Sequence, residues 1–158
     1  MIQQQKPGEN ELMFSLDVES LFTNVPVNEA IGLAIQIIMK KKNHDAKFIK
    51  LNAKDLKQLF ELAVTDIPSG FYDQLYKQQG GVSMGSPLAS ILAHIFIEHI
   101  ENKIEHYLDQ HKIQIMKRHV DDMFFVIDGK QEDVEKLLES INQLHDKIKF
   151  TCKDEKYF

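Results

Sequence analysis

Cysteine occurs only once in this chain, at Cys152, so no internal disulfide can close, and the composition suits a reducing compartment. No apolar run reaches membrane-spanning length, and the N-terminal Met-Ile-Gln-Gln-Gln-Lys-Pro has no apolar signal-peptide core. The expected location is therefore intracellular. A basic excess is missing too. The net charge of −5 argues against a stand-alone nucleic-acid binder, yet leaves room for a site built from carboxylates. There are no internal repeats, low-complexity segments or Gly/Ser linkers, so residues 1–158 are expected to form a single domain. The seven histidines show no His-x-x-x-His spacing and read as surface or hydrogen-bonded residues.

What is present is ordinary globular material: 43% hydrophobic and 27% charged residues over 158 positions, enough to bury a core. Within it the informative stretch is Arg118-His119-Val120-Asp121-Asp122-Met123-Phe124-Phe125-Val126-Ile127. Residues 113–120 alternate as a strand does, and Met123–Ile127 is a continuous apolar run suited to a strand buried on both faces. Asp-Asp is turn material, so the pattern predicts a hairpin with paired acids at its tip. Adjacent strand residues point to opposite faces, so one Asp is expected to aim into a cleft while the other turns aside. A surface hairpin turn that happens to carry two acids gives the same pattern.

Upstream, Leu12, Phe14, Leu16 and Val18 alternate with Met13, Ser15, Asp17 and Glu19, a strand with an acid near its end. Such an acid needs solvent, a partner or a metal. A turn is expected over Ser20–Pro26, then a helix over 27–42 with Ile31, Ala34, Ile35 and Ile38 inward and Lys40–Lys42 as a solvated end. Asn52 is placed to cap a helix carrying Leu56, Leu59, Phe60 and Ala63, which ends before Pro68-Ser69-Gly70. Phe71–Gln78 reads as a short strand, half of a hairpin. A glycine loop, Gly80 to Gly85, feeds Ser86-Pro87, a strong start for a helix to about Tyr107 with Leu88, Ile91, Leu92 and Ile95 on one face. Loops of this kind bind anions or merely turn the chain. A helix over 131–145 and a strand around Ile148–Cys152 complete an α+β layer, with helices on one face of an antiparallel sheet.

Three segments together resemble reverse transcriptases. Phe14-Ser15-Leu16-Asp17-Val18-Glu19-Ser20-Leu21-Phe22-Thr23-Asn24-Val25-Pro26 is similar to their first catalytic motif, Gly81-Val82-Ser83-Met84-Gly85-Ser86-Pro87-Leu88-Ala89 to their glycine-loop motif, and His119-Val120-Asp121-Asp122 to their two-aspartate motif. The wording is most like that of Penelope-like retroelements, including Tyr72–Gln79 and the Phe150-Thr151 core of residues 142–155. The resemblance covers nearly the whole chain and implies a polymerase palm. Asp17 and Asp121 would ligate two Mg²⁺ ions (Mn²⁺ being an alternative) roughly 3.5–4 Å apart, with the Val18 carbonyl as a further ligand and Asp122 in support or in contact. Met84, Gly85 and Ser86 would lie beside the nascent base pair, Phe22 would exclude a ribose 2′-hydroxyl, and His119 would meet the primer. The implied partners are an RNA template, a DNA primer and a dNTP, with no membrane; the retroelement likeness implies the nucleus.

The sequence also departs from the family. His119 stands where the two-aspartate motif usually has Tyr, and Met84 where many members have Gln. Basic fingers, a thumb and an endonuclease domain are not seen, so the expectation is a palm-centred fragment that binds template–primer weakly and is inactive by itself. Two other readings remain: a non-catalytic remnant serving as an interaction or nucleic-acid-binding module, and a two-metal phosphodiesterase.

Overall fold

The structure is a computed structural model that describes residues 11–44, 49–65, 68–83, 85–105 and 112–153. In chain order the elements are β1 (Glu11–Val18), α1 (Leu21–Asn24), α2 (Val27–His44), α3 (Ala53–Val64), β2 (Pro68–Phe71), β3 (Gln74–Lys77), α4 (Pro87–Glu105), β4 (Ile113–His119), β5 (Asp122–Asp128), α5 (Gln131–Asn142) and β6 (Phe150–Lys153). Helices and antiparallel strands mix in an α+β fold. The lead-in over 1–10, the helix end at Tyr107 and Met84 lie outside the described residues. The chain packs as two compact units, one of Met1–Glu19 with Ile100–Phe158 and one of Ser20–His99.

The first unit is built on a four-stranded sheet in the order β4-β5-β1-β6, each neighbouring pair antiparallel. Alternation along β1 decides its two faces. Phe14, Leu16 and Val18 are buried. Phe14 and Leu16 stand opposite Phe125 and Met123 of β5, while Leu16 and Val18 stand opposite Cys152 and Phe150 of β6. The Phe14 and Phe125 rings stack with centroids 5.3 Å apart. Helix α5 packs against β6 and buries Val134, Leu137 and Ile141. The opposite sheet face carries Asp17, Asp122, Thr151 and Lys153 and is partly open. Phe124, expected to be buried, is 41% exposed there, and Val126 is the β5 residue buried on that side.

The start of β6 is fastened by one side chain. Asn142, at the end of α5, accepts from the Phe150 N–H at 2.7 Å and donates to the Phe150 carbonyl at 3.0 Å. Lys149 Nζ donates to the Asn142 carbonyl at 2.8 Å, satisfying an orphan group of the helix end. These bonds end α5 at Asn142, short of the expected His145, and hold β6 in register against β1.

In the second unit, Ser20 takes a left-handed conformation (φ 48°). Its carbonyl accepts from the Thr23 and Asn24 N–H groups, so the expected turn over Ser20–Pro26 contains the short helical turn α1. Asn52 caps α3 in a reciprocal capping box with Asp55. The buried residues of α3 are Leu56 and Val64, whereas Leu59 is exposed; the i, i+4, i+8 row faces the core and the i+3 neighbour does not. Helix α4 shows a similar shift: Ala89, Leu92, Ala93, Phe96 and Ile97 are buried, while the expected Ile91 is exposed. Lys42, read as solvated, reaches across to the Leu51 carbonyl at 2.8 Å. Strands β2 and β3 form a complete hairpin whose turn residues, Tyr72 and Asp73, both have positive φ, the geometry that matches strand twist. Pro68-Ser69-Gly70 is therefore strand.

The glycine loop packs on α1. Val82 N–H donates to the Phe22 carbonyl at 2.7 Å. Gly81 sits at φ +67°, and a Cβ there would collide with the Phe22 and Thr23 carbonyls. Backbone approaches backbone at this glycine. Gly81→Ala should cost on the order of 2 kcal/mol, since it adds strain and breaks that approach. Gly85→Ala, also at positive φ but in open space, should cost less. Equal denaturant midpoints for wild type and Gly81→Ala would contradict the packing described.

Candidate metal centre

Asp17 is the penultimate residue of β1, on its partly open face, and the β1–β5 register sets it directly opposite Asp122. Asp121 occupies the second position of the two-residue turn between β4 and β5, whose last paired residues are His119 and Asp122. Val120, the first turn residue, has φ +59°, an uncommon conformation for a β-branched side chain. The turn is held from two sides: Arg118 donates to the Val120 carbonyl at 3.0 Å, and the Val18 N–H donates to the Asp121 carbonyl at 3.3 Å. Because Asp121 is in the turn, strand alternation does not separate it from Asp122. Both aspartates converge with Asp17; alternation alone would have turned one of the pair aside, whereas the family resemblance grouped all three. The three half-buried carboxylates offer oxygens that all lie within 4.8 Å of one another.

Such convergence is repulsive unless a cation answers it. Lys153 supplies one. Its Nζ lies 2.6 Å from Asp122 Oδ1 and 3.3 Å from Asp17 Oδ1. The hydrogen bond to Asp122, opposed by desolvation and helped by the bond to Asp17, pushes the Lys153 pKa up, so the group is charged at neutral pH. All three acids offer hard oxygen donors of the kind divalent Mg²⁺ and Mn²⁺ prefer, and two of them, Asp17 and Asp122, already receive an ammonium as a stand-in cation. The residues present thus fit a divalent ion.

Val18 is buried, and its N–H is engaged as described. His119 is exposed at the end of β4, opposite Asp122. Phe22 is half-buried in α1 of the second unit, bonded through its carbonyl to the glycine loop. Gly85 has φ +91°, and the Ser86 carbonyl accepts from Ser90 N–H as α4 begins. Met84 is outside the described residues. Sequence reading missed Lys153, because its face is known only once β6 is paired with β1. It also missed the Arg118–Glu101 ion pair at 2.8 Å, which secures the core side of β4 beneath the turn.

Val120→Gly tests the turn. Glycine adopts positive φ freely, so the folded state should lose strain, and stability should rise by up to about 1 kcal/mol despite the extra unfolded-state entropy. A loss of 1 kcal/mol or more in denaturant unfolding would show that the Val120 side chain, 55% exposed, contributes more than its backbone costs.

The family model described as reverse transcriptase (RNA-dependent DNA polymerase) matches residues 2–158. No match is found among curated proteins. Among solved structures the chain is similar to an apo telomerase from Candida Tropicalis truncated from its C-terminal domain, with a TM-score of 0.62 and 17% identity over 94% of this chain. This chain spans 32% of that one. At that identity the likeness is one of fold.

Proposed function

We propose, from the premise that this chain belongs to the reverse transcriptase family, that it is the palm-centred catalytic part of an RNA-directed DNA polymerase. The observation that carries the proposal is the convergence of Asp17, Asp121 and Asp122 at the end of a β hairpin. Asp17 and Asp121 would hold two divalent cations, Mg²⁺ by preference, with the Val18 carbonyl and Asp122 as further oxygens. When bound, such ions activate a primer 3′-hydroxyl and stabilise a pyrophosphate leaving group. The chain's own residues fix the donors. The β1–β5 ladder aligns Asp17 with Asp122, and the strained turn brings Asp121 to them. His119 would meet the primer, while Met84, Gly85 and Ser86 would lie along the incoming nucleotide. The template would be RNA and the substrates dNTPs. A Penelope-like retroelement origin and a nuclear site of action belong to the same proposal.

The exposed face of the cluster and the net charge of −5 bear on partners. Affinity for nucleic acid comes largely from Lys and Arg contacts to phosphate, so these 158 residues alone should extend a primed RNA poorly. The test is primer extension in the longest protein that contains this chain, with Mg²⁺ and dNTPs. Asp17→Asn and Asp121→Asn should each reduce extension by at least about a hundredfold while leaving the fold intact. Undiminished extension by both variants would overturn the catalytic assignment and favour a non-catalytic module.

Sugar selection gives a second check. Phe22 is held to the glycine loop through its carbonyl, so a ring placed against a sugar would have a fixed backbone behind it. Phe22→Ala should raise kcat/KM for ribonucleotides relative to deoxyribonucleotides without abolishing metal dependence. An unchanged ratio in a merely less stable protein would make Phe22 a packing residue.

A further inference from the structure

Lys153 has no part in the proposed catalysis. It stands in β6 opposite Ser15, while Thr151 of the same strand stands opposite Asp17. From that register the lysine side chain runs along the partly open face to Asp122 and Asp17. Its backbone is not free to drift, because Asn142 clamps the first residue of β6. Its side chain remains 45% exposed, so the ammonium can leave the carboxylates for water without unfolding anything.

We propose that Lys153 is a built-in counter-cation of the acid cluster, which holds Asp17 and Asp122 together and competes with divalent ions for the same carboxylate oxygens. The inference rests on the metal-binding reading of the cluster. The ammonium and a divalent ion are both attracted by the same charge, and each repels the other. A divalent ion must therefore displace Lys153 or bind beside a positive charge, and either route weakens its apparent affinity. In return, carboxylates that would otherwise repel one another stay converged. Lys153 is then a positioning residue that sets the concentration of divalent ion at which the site fills.

The test is calorimetric titration of the full chain with MnCl₂ and MgCl₂, comparing wild type with Lys153→Met, Lys153→Arg and Asp17→Asn. Methionine keeps the apolar stem and removes the charge. Lys153→Met should bind Mn²⁺ roughly three- to tenfold more tightly at low ionic strength, and the difference should shrink at high salt. Lys153→Arg should stay near wild type. Without added divalent ion Lys153→Met should melt lower than wild type, and saturating Mn²⁺ should abolish or reverse that difference. Equal Mn²⁺ affinity in wild type and Lys153→Met, with a lower melting temperature at every metal concentration, would make Lys153 merely structural and leave the metal reading standing. Mn²⁺ binding by Asp17→Asn equal to that of wild type, or no binding by any of the proteins, would overturn both.

Discussion

Like charges held close together are the constraint on which the rest of this structure depends. Three carboxylates within 4.8 Å of one another repel, and the fold must supply the energy that keeps them there. The supply is local and specific. Backbone ladders fix Asp17 opposite Asp122, a turn with a left-handed valine brings in Asp121, and Lys153 returns positive charge to two of the three. No polar or charged side chain is buried among the described residues, so the cluster keeps contact with water and avoids the larger penalty of a dry interior.

The sheet makes this possible by treating its two faces differently. One face buries Phe14, Leu16, Met123, Phe125, Ile127 and Phe150. A one-residue slip of β1 would send Asp17 into that core and Leu16 or Val18 out of it, so hydrophobic burial itself fixes the register that aligns the acids. Asn142 does the equivalent for β6 through two hydrogen bonds to Phe150. In the other unit Gly81 plays a comparable part, permitting the backbone of the glycine loop to lie against that of Phe22 and Thr23.

Much of this was legible in the sequence, for physical reasons that also mark where legibility stops. The alternation of Leu12–Val18 and the Asp-Asp pair before Met123–Ile127 reveal the strands and the hairpin tip, because period-two burial leaves a direct mark on composition. The Asn52 cap and the Ser86-Pro87 helix start are likewise local signals. Which helical row faces inward was read less well: Leu59 and Ile91 fit an apolar stripe yet are exposed, since tertiary packing chooses among neighbouring rows. Strand alternation alone does not show the joint convergence of Asp121 and Asp122, because it fails inside a turn; the family resemblance had grouped both with Asp17. Lys153 was invisible, as its role depends on pairing between strands far apart in the chain. The α+β class and the family followed from patterns that span the whole chain, and the family model matches residues 2–158.

Asp17, Asp121 and Asp122 are proposed to form one cation site. Paramagnetic broadening tests it directly: backbone amide spectra of the isotopically labelled chain are recorded with substoichiometric Mn²⁺. A shared site predicts selective loss of signals from residues around Asp17, around Asp121–Asp122 and around Thr151–Lys153 together, while α3 and the β2–β3 hairpin stay sharp. Broadening confined to one of those segments, or centred on acids elsewhere in the chain, would contradict it.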